Sequence, residues 1–499
     1  MKLKEVLSEI EVLDYRLGAA SECTNLLTDS RRAVPGGLFF AISGRKNDGN
    51  DYIEQAVDRG VVAVVTEQAL GKHFPIDYIQ VPDVRIALAK IAKLFYGSPD
   101  CSLAITGITG TNGKTTVSLL AQHLLGGSQS VGLIGTIRYD IGKRTLPSHR
   151  TTPESADCFQ LFSEMREVGS KAAVMEVSSH GIDQCRVHFI EMDTVVFLNL
   201  SRDHMDYHST IEDYFQVKQR LFTGALGTAA KRAVVNADCP YGQKILADLG
   251  LESATKALSF GLNAGADFRA IDLCLASCDT RFTVVYPEGQ IQVYSPLIGR
   301  HNVYNTLAAL AIAYVQGCSL VDCVKALGSF PGVPGRMEQI LAGQDFSVLV
   351  DYAHTADAIE HTCEILGELS KGKKIIVFGC GGDRDRGKRP LMMRAALNGA
   401  DTVIVTADNP RTEAIESIFQ EMRSGIESEA EAKRVQFIVD RKNACARAFE
   451  SASAGDCVLI AGKGHEVYQE IQGTMIPFDD RKVARELLEN RGASKLDLN

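Results

Sequence analysis

Gly110-Thr111-Asn112-Gly113-Lys114-Thr115-Thr116 decides how this chain is read. It follows an apolar, strand-like run at 103–108 and opens a helical pattern at 117–125, which is the strand-loop-helix order of a phosphate site. Glycines let successive N–H groups converge on an anion at a helix N-terminus, Lys114 adds positive charge, and the Thr115 hydroxyl suits Mg2+. The expected ligand is ATP or GTP. The spacing departs from the strict G-x-x-x-x-G-K-[ST] pattern, because Ile108 stands where the first glycine belongs and glycine comes one place earlier, at Gly107. A Gly-rich turn with a chance lysine is the bland alternative, and the ordered strand, loop, Lys-Thr and helix weigh against it.

At 499 residues the chain is too long for one core, and ordinary domain sizes suggest about three. Its 53 basic and 62 acidic side chains leave a net charge of −9 with no long basic run, which argues against nucleic acid or a membrane surface as partner. The first 17 residues intersperse charges among apolar positions, and the longest apolar stretch, 307–315, is too short to span a bilayer, so a soluble, cytoplasmic protein is expected. Thirteen cysteines are an odd number. Pairs such as Cys274/Cys278 and Cys318/Cys323 lack zinc-site partners, so reduced, mostly buried thiols are expected.

Punctuation at Tyr96-Gly97-Ser98-Pro99-Asp100, closing a helical run at 84–95, and at Phe330-Pro331-Gly332-Val333-Pro334-Gly335 divides the sequence into 1–98, 99–331 and 332–499. The first segment offers strands at 37–42 and 61–66 around a helix near 52–58. The second alternates strand and helix, with strands at 103–108, 172–177, 194–200 and 232–236, then a strand-rich stretch at 256–296. An α/β chain of three domains is expected, its central domain a P-loop-type ATPase with a mostly parallel sheet and an antiparallel appendage. The third segment places strands at 347–350, 374–378, 402–406, 436–439 and 457–460, each followed by helical sequence, a Rossmann-like layout. The tail after Gly492 is expected to fray.

Polar clusters fall at the carboxyl ends of these strands, where open α/β sheets bind ligands. Glu176-Val177-Ser178-Ser179-His180 ends one strand and Arg202-Asp203-His204-Met205-Asp206-Tyr207-His208 follows the next. Near Thr115, a carboxylate and an imidazole would make a Mg2+ shell, although imidazole is an uncommon magnesium ligand. Taken singly, Glu176 reads equally well as a loop or cap residue. Lys218 lies three or four residues from Tyr214, Phe215, Leu221 and Phe222, on the apolar stripe of a helix at 213–222. The favoured reading of such a lysine is snorkelling. The alternative is a neutral amine converted by CO2 to a carbamate that binds metal. In the third segment, Asp383-Arg384-Asp385-Arg386-Gly387-Lys388-Arg389, Asp408-Asn409-Pro410-Arg411 and Ala461-Gly462-Lys463-Gly464-His465-Glu466 follow three strands. Arginine forks read carboxylates bidentately and Glu466 or Asp408 suits an ammonium, so an amino acid fits. The first run alone reads as solvated charge, and the second alone as a turn.

Together these motifs resemble the Mur ligase family. The resemblance runs from Thr28-Asp29-Ser30-Arg31 through the glycine loop, Thr151-Thr152-Pro153, Glu176 to His180, Gln184 and Arg186, Arg202 to His208, Lys218, Gly299-Arg300-His301-Asn302, Pro334-Gly335-Arg336-Met337-Glu338 and Asp351-Tyr352-Ala353-His354 to the last two clusters. It implies an N-terminal UDP-sugar domain, a central ATPase and a C-terminal domain for the incoming amino acid. Ser30, Thr151, Thr152, Ser178, Gln184 and Arg186 would contact a UDP-muramoyl dipeptide. Gly110, Thr111, Asn112, Gly113, Lys114, Thr115 and Thr116 would take the ATP phosphates, with Asn302, Arg336 and Asp351 around the rest of the nucleotide. Thr115, Glu176, His204 and carbamylated Lys218 would hold Mg2+ and, with Lys114, form the catalytic set. Arg384, Asp408, Asn409, Pro410, Arg411, Gly462 and Glu466 would hold meso-diaminopimelate. Asn50 and Ser209 depart from the family pattern, where His and Gly are expected.

The implied reaction adds meso-2,6-diaminopimelate to UDP-N-acetylmuramoyl-L-alanyl-D-glutamate in peptidoglycan precursor synthesis, through an acyl phosphate made from ATP, with domain closure excluding water. The implied protein is a monomer without nucleic-acid or membrane partner. A lysine-adding muramyl ligase is the near rival, against which Arg411 argues. A folylpolyglutamate synthase would have Gly-Ser after the loop lysine and lack the N-terminal domain. A kinase would release ADP without consuming an amine.

Overall fold

Alternating valines and isoleucines build the two large sheets of this protein, seen in a computed structural model that describes residues 1–18, 21–44, 47–70, 76–250, 254–276, 279–369 and 372–496. The chain divides into two compact units. The first holds Met1–Ala270, Val284–Ile291 and Tyr304–Ala326, and the second Ile271–Thr283, Gln292–Val303 and Leu327–Asn499.

In the first unit a small sheet runs in the order Asp14–Arg16, Asp77–Gln80, Ala63–Thr66, Gly37–Phe40, Asn25–Leu27, parallel except for its first strand. The outer three strands escape the sequence reading because they are only three or four residues long, and two of them carry charge. The helix Val84–Phe95 starts where the Asp83 carboxylate accepts from the Arg85 and Ile86 amides at 2.8 and 2.9 Å, which satisfies orphan donors of its first turn. It buries Leu88, Ile91 and Ala92 and packs on the helix Ser155–Glu167, so residues 1–98 and the central segment lie in one unit.

The central sheet has the order Lys256–Gly261, Arg232–Asn236, Thr194–Phe197, Ala104–Thr109, Ala172–Glu176, Val131–Ile134. These six strands are parallel. Arg138–Asp140 and Thr145–Pro147 then add antiparallel strands beyond Val131–Ile134, an element the sequence reading missed. The expected strand-rich stretch contributes Phe268–Leu275, Thr280–Tyr286 and Gly289–Ser295 besides Lys256–Gly261, and Lys256–Gly261 joins the parallel body. Ala104–Thr109 lies between Ala172–Glu176 and Thr194–Phe197, with Glu176 opposite Ile108 and Phe197 opposite Thr109. Three strand ends therefore deliver the glycine loop, residues 176–180 and residues 198–208 to one edge.

The sheet of the second unit has the order Glu338–Gln339, Ser347–Asp351, Cys457–Ala461, Lys374–Phe378, Thr402–Val405, Val435–Phe437, parallel after its first strand. Leu349, Ile376, Phe378, Val403 and Leu459 enter one core, while Val348, Val350, Ile375, Ile404 and Val458 enter the core on the other face. Such two-sided burial explains the unbroken apolar runs. One expectation fails here: Cys457–Ala461 is followed by a hairpin, Tyr468–Ile471 and Thr474–Pro477, before the helix Asp480–Leu496. Gln472 and Gly473 both take positive φ at its tip, as a tight two-residue turn requires. The last helix continues to Leu496, so fraying does not begin at Gly492, and residues 497–499 lie outside the described residues. Among the described residues no helix is long and apolar enough to cross a membrane. The twelve described cysteines are free, eight of them buried, and Cys278 lies outside the described residues.

Candidate active site

Gly113 stands at φ 91 as the N-cap of the helix Lys114–Leu124, and a Cβ there would lie 2.5 Å from the Asn305 side-chain oxygen, so the tight loop admits only glycine. Gly107 is required for a different reason, since it sits inside the Ala104–Thr109 strand, where a Cβ would collide with Met192 Sδ. The irregular Walker spacing thus reflects strand packing. Asn199 Oδ1 accepts from the Asn112 amide at 2.9 Å, its Nδ2 donates to the Asn112 carbonyl at 3.1 Å, and the Ser201 amide donates to Thr111 Oγ1 at 3.0 Å. Asn199 and Ser201 brace the loop from the neighbouring strand's end. The sequence reading missed them, although they adjoin Arg202.

Glu176 is 1% exposed. Its carboxylate accepts from Thr115 Oγ1 at 2.9 Å, from the Thr136 amide at 2.8 Å and from Thr136 Oγ1 at 3.0 Å. It is therefore no loop or cap residue, and Thr136 joins the set unforeseen. Lys218 is also 1% exposed, which overturns the snorkelling reading. The helix Ile211–Gln219 points it inward, with Nζ 3.0 Å from the Gly110 carbonyl, 3.3 Å from Thr109 Oγ1 and 4.6 Å from the Tyr214 ring centroid. Burial, reinforced by the Lys114 charge, holds its pKa well below the ordinary lysine value. Lys114 Nζ donates to the Gly110 and Thr111 carbonyls, both at 2.8 Å. His204 takes a left-handed backbone, φ 56, and its ring packs edge-on against His180 and Tyr214. Burial lowers its pKa, Asp203 opposes this, and the Lys114 charge lowers it further. Burial and the neighbouring His204 and His208 rings pull His180 down to about 4.

Five of the six residues expected at the dipeptide, all but Ser30, form one chain of contacts through Thr136 and Glu176. Thr151 Oγ1 lies 3.0 Å from Thr136 Oγ1, Thr152 Oγ1 donates to the Glu176 carbonyl at 2.8 Å and accepts from the Ser178 amide at 3.0 Å. Ser178 Oγ caps the helix Ser179–Asp183, and Arg186 donates to the Thr152 carbonyl at 3.0 Å and to Gln184 Oε1 at 2.6 Å. Ser30 is buried and donates to Gln55 Oε1 at 2.7 Å. Asn50 donates to Asp48 and accepts from Thr66 Oγ1, both at 2.7 Å.

The second unit holds Asn302, Arg336 and Asp351. Asn302 Nδ2 donates to the Ile298 carbonyl at 2.8 Å. Asp351 accepts from the Met337 and Ala353 amides at 2.8 Å, Arg336 stacks 5.0 Å from the Tyr352 ring centroid, and burial raises the Asp351 pKa against the pull of Arg336. Following Thr402–Val405, Asp408 and Asn409 are buried. Asp408 Oδ2 is buried without a hydrogen-bond partner among the described residues, and Gly462 faces it so closely that a Cβ would come within 2.6 Å. Asn409 Oδ1 accepts from Lys463 Nζ at 3.0 Å, and Glu466 Oε2 accepts from Asn409 Nδ2 at 3.0 Å and pairs with Lys463 at 3.1 Å. Lys463, fully buried, is a further residue the sequence reading passed over, although it lies inside a quoted motif. Arg411 takes φ 51, donates from Nη1 to the Gly382 carbonyl at 2.8 Å and pairs through Nε with Glu470 at 3.0 Å. The charge run at 383–389 is split by the fold: Arg384 is exposed with no ion pair among the described residues, whereas Arg389 is fully buried between Glu413 and Glu421. Arg389 is a structural anchor, not solvated charge.

Family models cover most of the length: the Mur ligase family catalytic domain at 22–96, the Mur ligase middle domain at 108–313 and the Mur ligase glutamate ligase domain at 335–464. A relative from Solibacter usitatus (strain Ellin6076) is 42% identical over 496 residues, 99% of each chain. The chain belongs to the Mur ligase family. That relative, and one from Geobacillus thermodenitrificans (strain NG80-2) that is 41% identical over 98% of this Mur ligase and 100% of its own length, are named UDP-N-acetylmuramoyl-L-alanyl-D-glutamate–2,6-diaminopimelate ligase. A solved structure of that enzyme is 34% identical to this Mur ligase, covers 99% of both chains and superposes with a TM-score of 0.71. A Mycobacterium tuberculosis folylpolyglutamate synthase structure, 17% identical with a TM-score of 0.60 over 80% of this chain and 94% of its own, shares the fold alone.

Proposed function

We infer that this Mur ligase joins meso-2,6-diaminopimelate to the D-glutamate side chain of UDP-N-acetylmuramoyl-L-alanyl-D-glutamate, with ATP converted to ADP and phosphate. The observation that carries the reading is the meeting of Lys114 and buried Lys218 on one carbonyl, at the edge where Thr115 bonds the Glu176 carboxylate. Full-length relatives bearing that enzyme name support the choice of substrates.

A carboxylate is a poor electrophile. In the first step its oxygen attacks the γ-phosphorus of ATP, the bond to ADP breaks, and an acyl phosphate forms. In the second the amine attacks the acyl carbon, and phosphate leaves as the tetrahedral intermediate collapses. Two anions must approach in the first step, and Lys114, released from its loop carbonyls, is the cation placed to offset their repulsion. The hard oxygens of Thr115 and Glu176 fit Mg2+, with His204 and a carbamate on Lys218 completing the set. When bound, Mg2+ supplies further positive charge there. A neutral Lys218 amine can add CO2 and turn a buried cation site into an anion, which the carbamate reading requires. Around the amino acid, Glu466 and the Asp408 oxygen that has no partner among the described residues suit an ammonium, and Arg411 and Arg384 suit carboxylates. The three domains are assigned to 1–98, 99–331 and 332–499, with a monomer as the working unit. Phosphate release measured on the UDP-muramoyl dipeptide with diaminopimelate and lysine in parallel tests the reading: release that needs diaminopimelate supports it, and release with lysine alone overturns it.

A further inference from the structure

The hairpin that the sequence reading missed is sewn to the Asp408–Arg411 loop bond by bond. Gln469 Nε2 donates to the Ala407 and Asp408 carbonyls at 3.2 and 3.0 Å, and the Glu470 amide donates to Asn409 Oδ1 at 3.0 Å. The Arg411 amide donates to the Glu470 carbonyl at 3.0 Å, the Gln472 amide to the Arg411 carbonyl at 2.8 Å, and Arg411 forms a parallel bridge with Ile471. This clamp holds Arg411 in a left-handed conformation that an arginine seldom adopts.

The Glu470 side chain extends the clamp to the guanidinium. Its carboxylate lies 3.0 Å from Nε while the Gly382 carbonyl takes Nη1 at 2.8 Å, so the fork is gripped at two of its three nitrogens. Nη2 donates no hydrogen bond among the described residues, which leaves that end of the fork for another acceptor. Side-chain exposures of 20% for Arg411 and 27% for Glu470 mean that the pair adds little to stability, as partly exposed ion pairs generally do. Its physical consequence is orientation: one ion pair and one hydrogen bond restrict much of the rotamer freedom that a free arginine loses on binding a carboxylate. We propose that Glu470 is a specificity-determining positioning residue, which aims the Arg411 guanidinium at the carboxylate of the incoming amino acid through the hairpin 468–477. The proposal rests on the amino-acid reading of the Asp408–Arg411 loop given above.

The test is steady-state kinetics on Glu470→Ala, Glu470→Gln, Arg411→Ala and the Arg411→Ala/Glu470→Ala double variant, with each of the three substrates varied in turn and thermal midpoints recorded. Glu470→Ala should raise KM for diaminopimelate about tenfold while kcat and the KM values for ATP and the dipeptide stay within about twofold. Glu470→Gln, which keeps an oxygen of the same reach, should recover most of that loss. In the Arg411→Ala background Glu470→Ala should have no further effect on KM. An unchanged KM in Glu470→Ala, a parallel rise for all three substrates, or additive effects in the double variant would overturn the proposal. Use of lysine by the wild type would instead overturn the substrate reading, and the same double-variant comparison, run with lysine, would then decide the role of Glu470 separately.

Discussion

Lys114 and Lys218 donate to the same acceptor: both Nζ atoms reach the Gly110 carbonyl, at 2.8 and 3.0 Å. Two ammonium groups on one oxygen repel each other, and burial makes Lys218, the enclosed one, the group whose pKa is pulled well below the ordinary lysine value.

For Lys218 the sign of the pH effect follows. Its folded pKa is lowered, so unfolding restores a proton that the native state lacks, and unfolding free energy rises with pH from the folded value up to about 10.4. In CO2-free buffer the slope of the wild type should exceed that of Lys218→Met, by at most about 1.4 kcal/mol per pH unit, the buried thiols contributing equally to both. Chemical denaturation of both proteins across pH 7–9, a span chosen as roughly the accessible part of that window, checks it. Lys218→Ala should be nearly inactive yet partly restored by formate or acetate, and bicarbonate depletion should slow the wild type. Full activity in Lys218→Ala would contradict the carbamate.

Lys114→Ala should lower kcat by orders of magnitude if, as proposed, the loop lysine offsets the charge of the transferring phosphoryl group. Its half-buried side chain bonds carbonyls of its own loop, so the thermal midpoint should move little. Near-normal phosphate release from the folded variant would remove Lys114 from the mechanism.

Arg441 and Asp480 form an ion pair that is 0% exposed on both sides, with bonds of 2.8 and 2.7 Å, and the guanidinium also donates to the Ala461 carbonyl at 2.9 Å. Removing one partner strands a charge in the core. Asp480→Ala should cost about 3–5 kcal/mol, and Arg441→Met/Asp480→Leu should cost less than Asp480→Ala alone. Urea unfolding of the three proteins measures this. A loss below about 1 kcal/mol in Asp480→Ala would mean that water reaches the pair after all.

A buried guanidinium that lost its only partner would reject lysine by about two to four orders of magnitude. The structure removes that premise, since Glu470 stays paired to Arg411 whichever amino acid enters. The loss on binding lysine is then about one charged hydrogen-bond set, roughly 1.5–3 kcal/mol or one to two orders of magnitude in kcat/KM. Arg411→Ala should reduce diaminopimelate use by that factor and spare residual lysine use. An unchanged ratio of the two kcat/KM values would show that selection lies elsewhere.

The phosphate loop, the parallel strands around it and the order of the motifs were legible in the sequence because each depends on local pattern: apolar period, turn glycines, residue spacing. What tertiary structure alone decided is which side chains enter low dielectric and which carbonyls they meet. Helical spacing put Lys218 on an apolar stripe, but only the crossing of that helix over the end of Ala104–Thr109 shuts it from water and sets it on Gly110. Arg389 reads as one more charge in a charged run until the fold closes Glu413 and Glu421 around it. Glu470 carries no sequence signal at all, because its meaning comes from a hairpin that pairs with a loop about sixty residues earlier. Local propensities cannot report such a contact. The chain must first close the sheet that brings the ends of Thr402–Val405 and Cys457–Ala461 to the same edge.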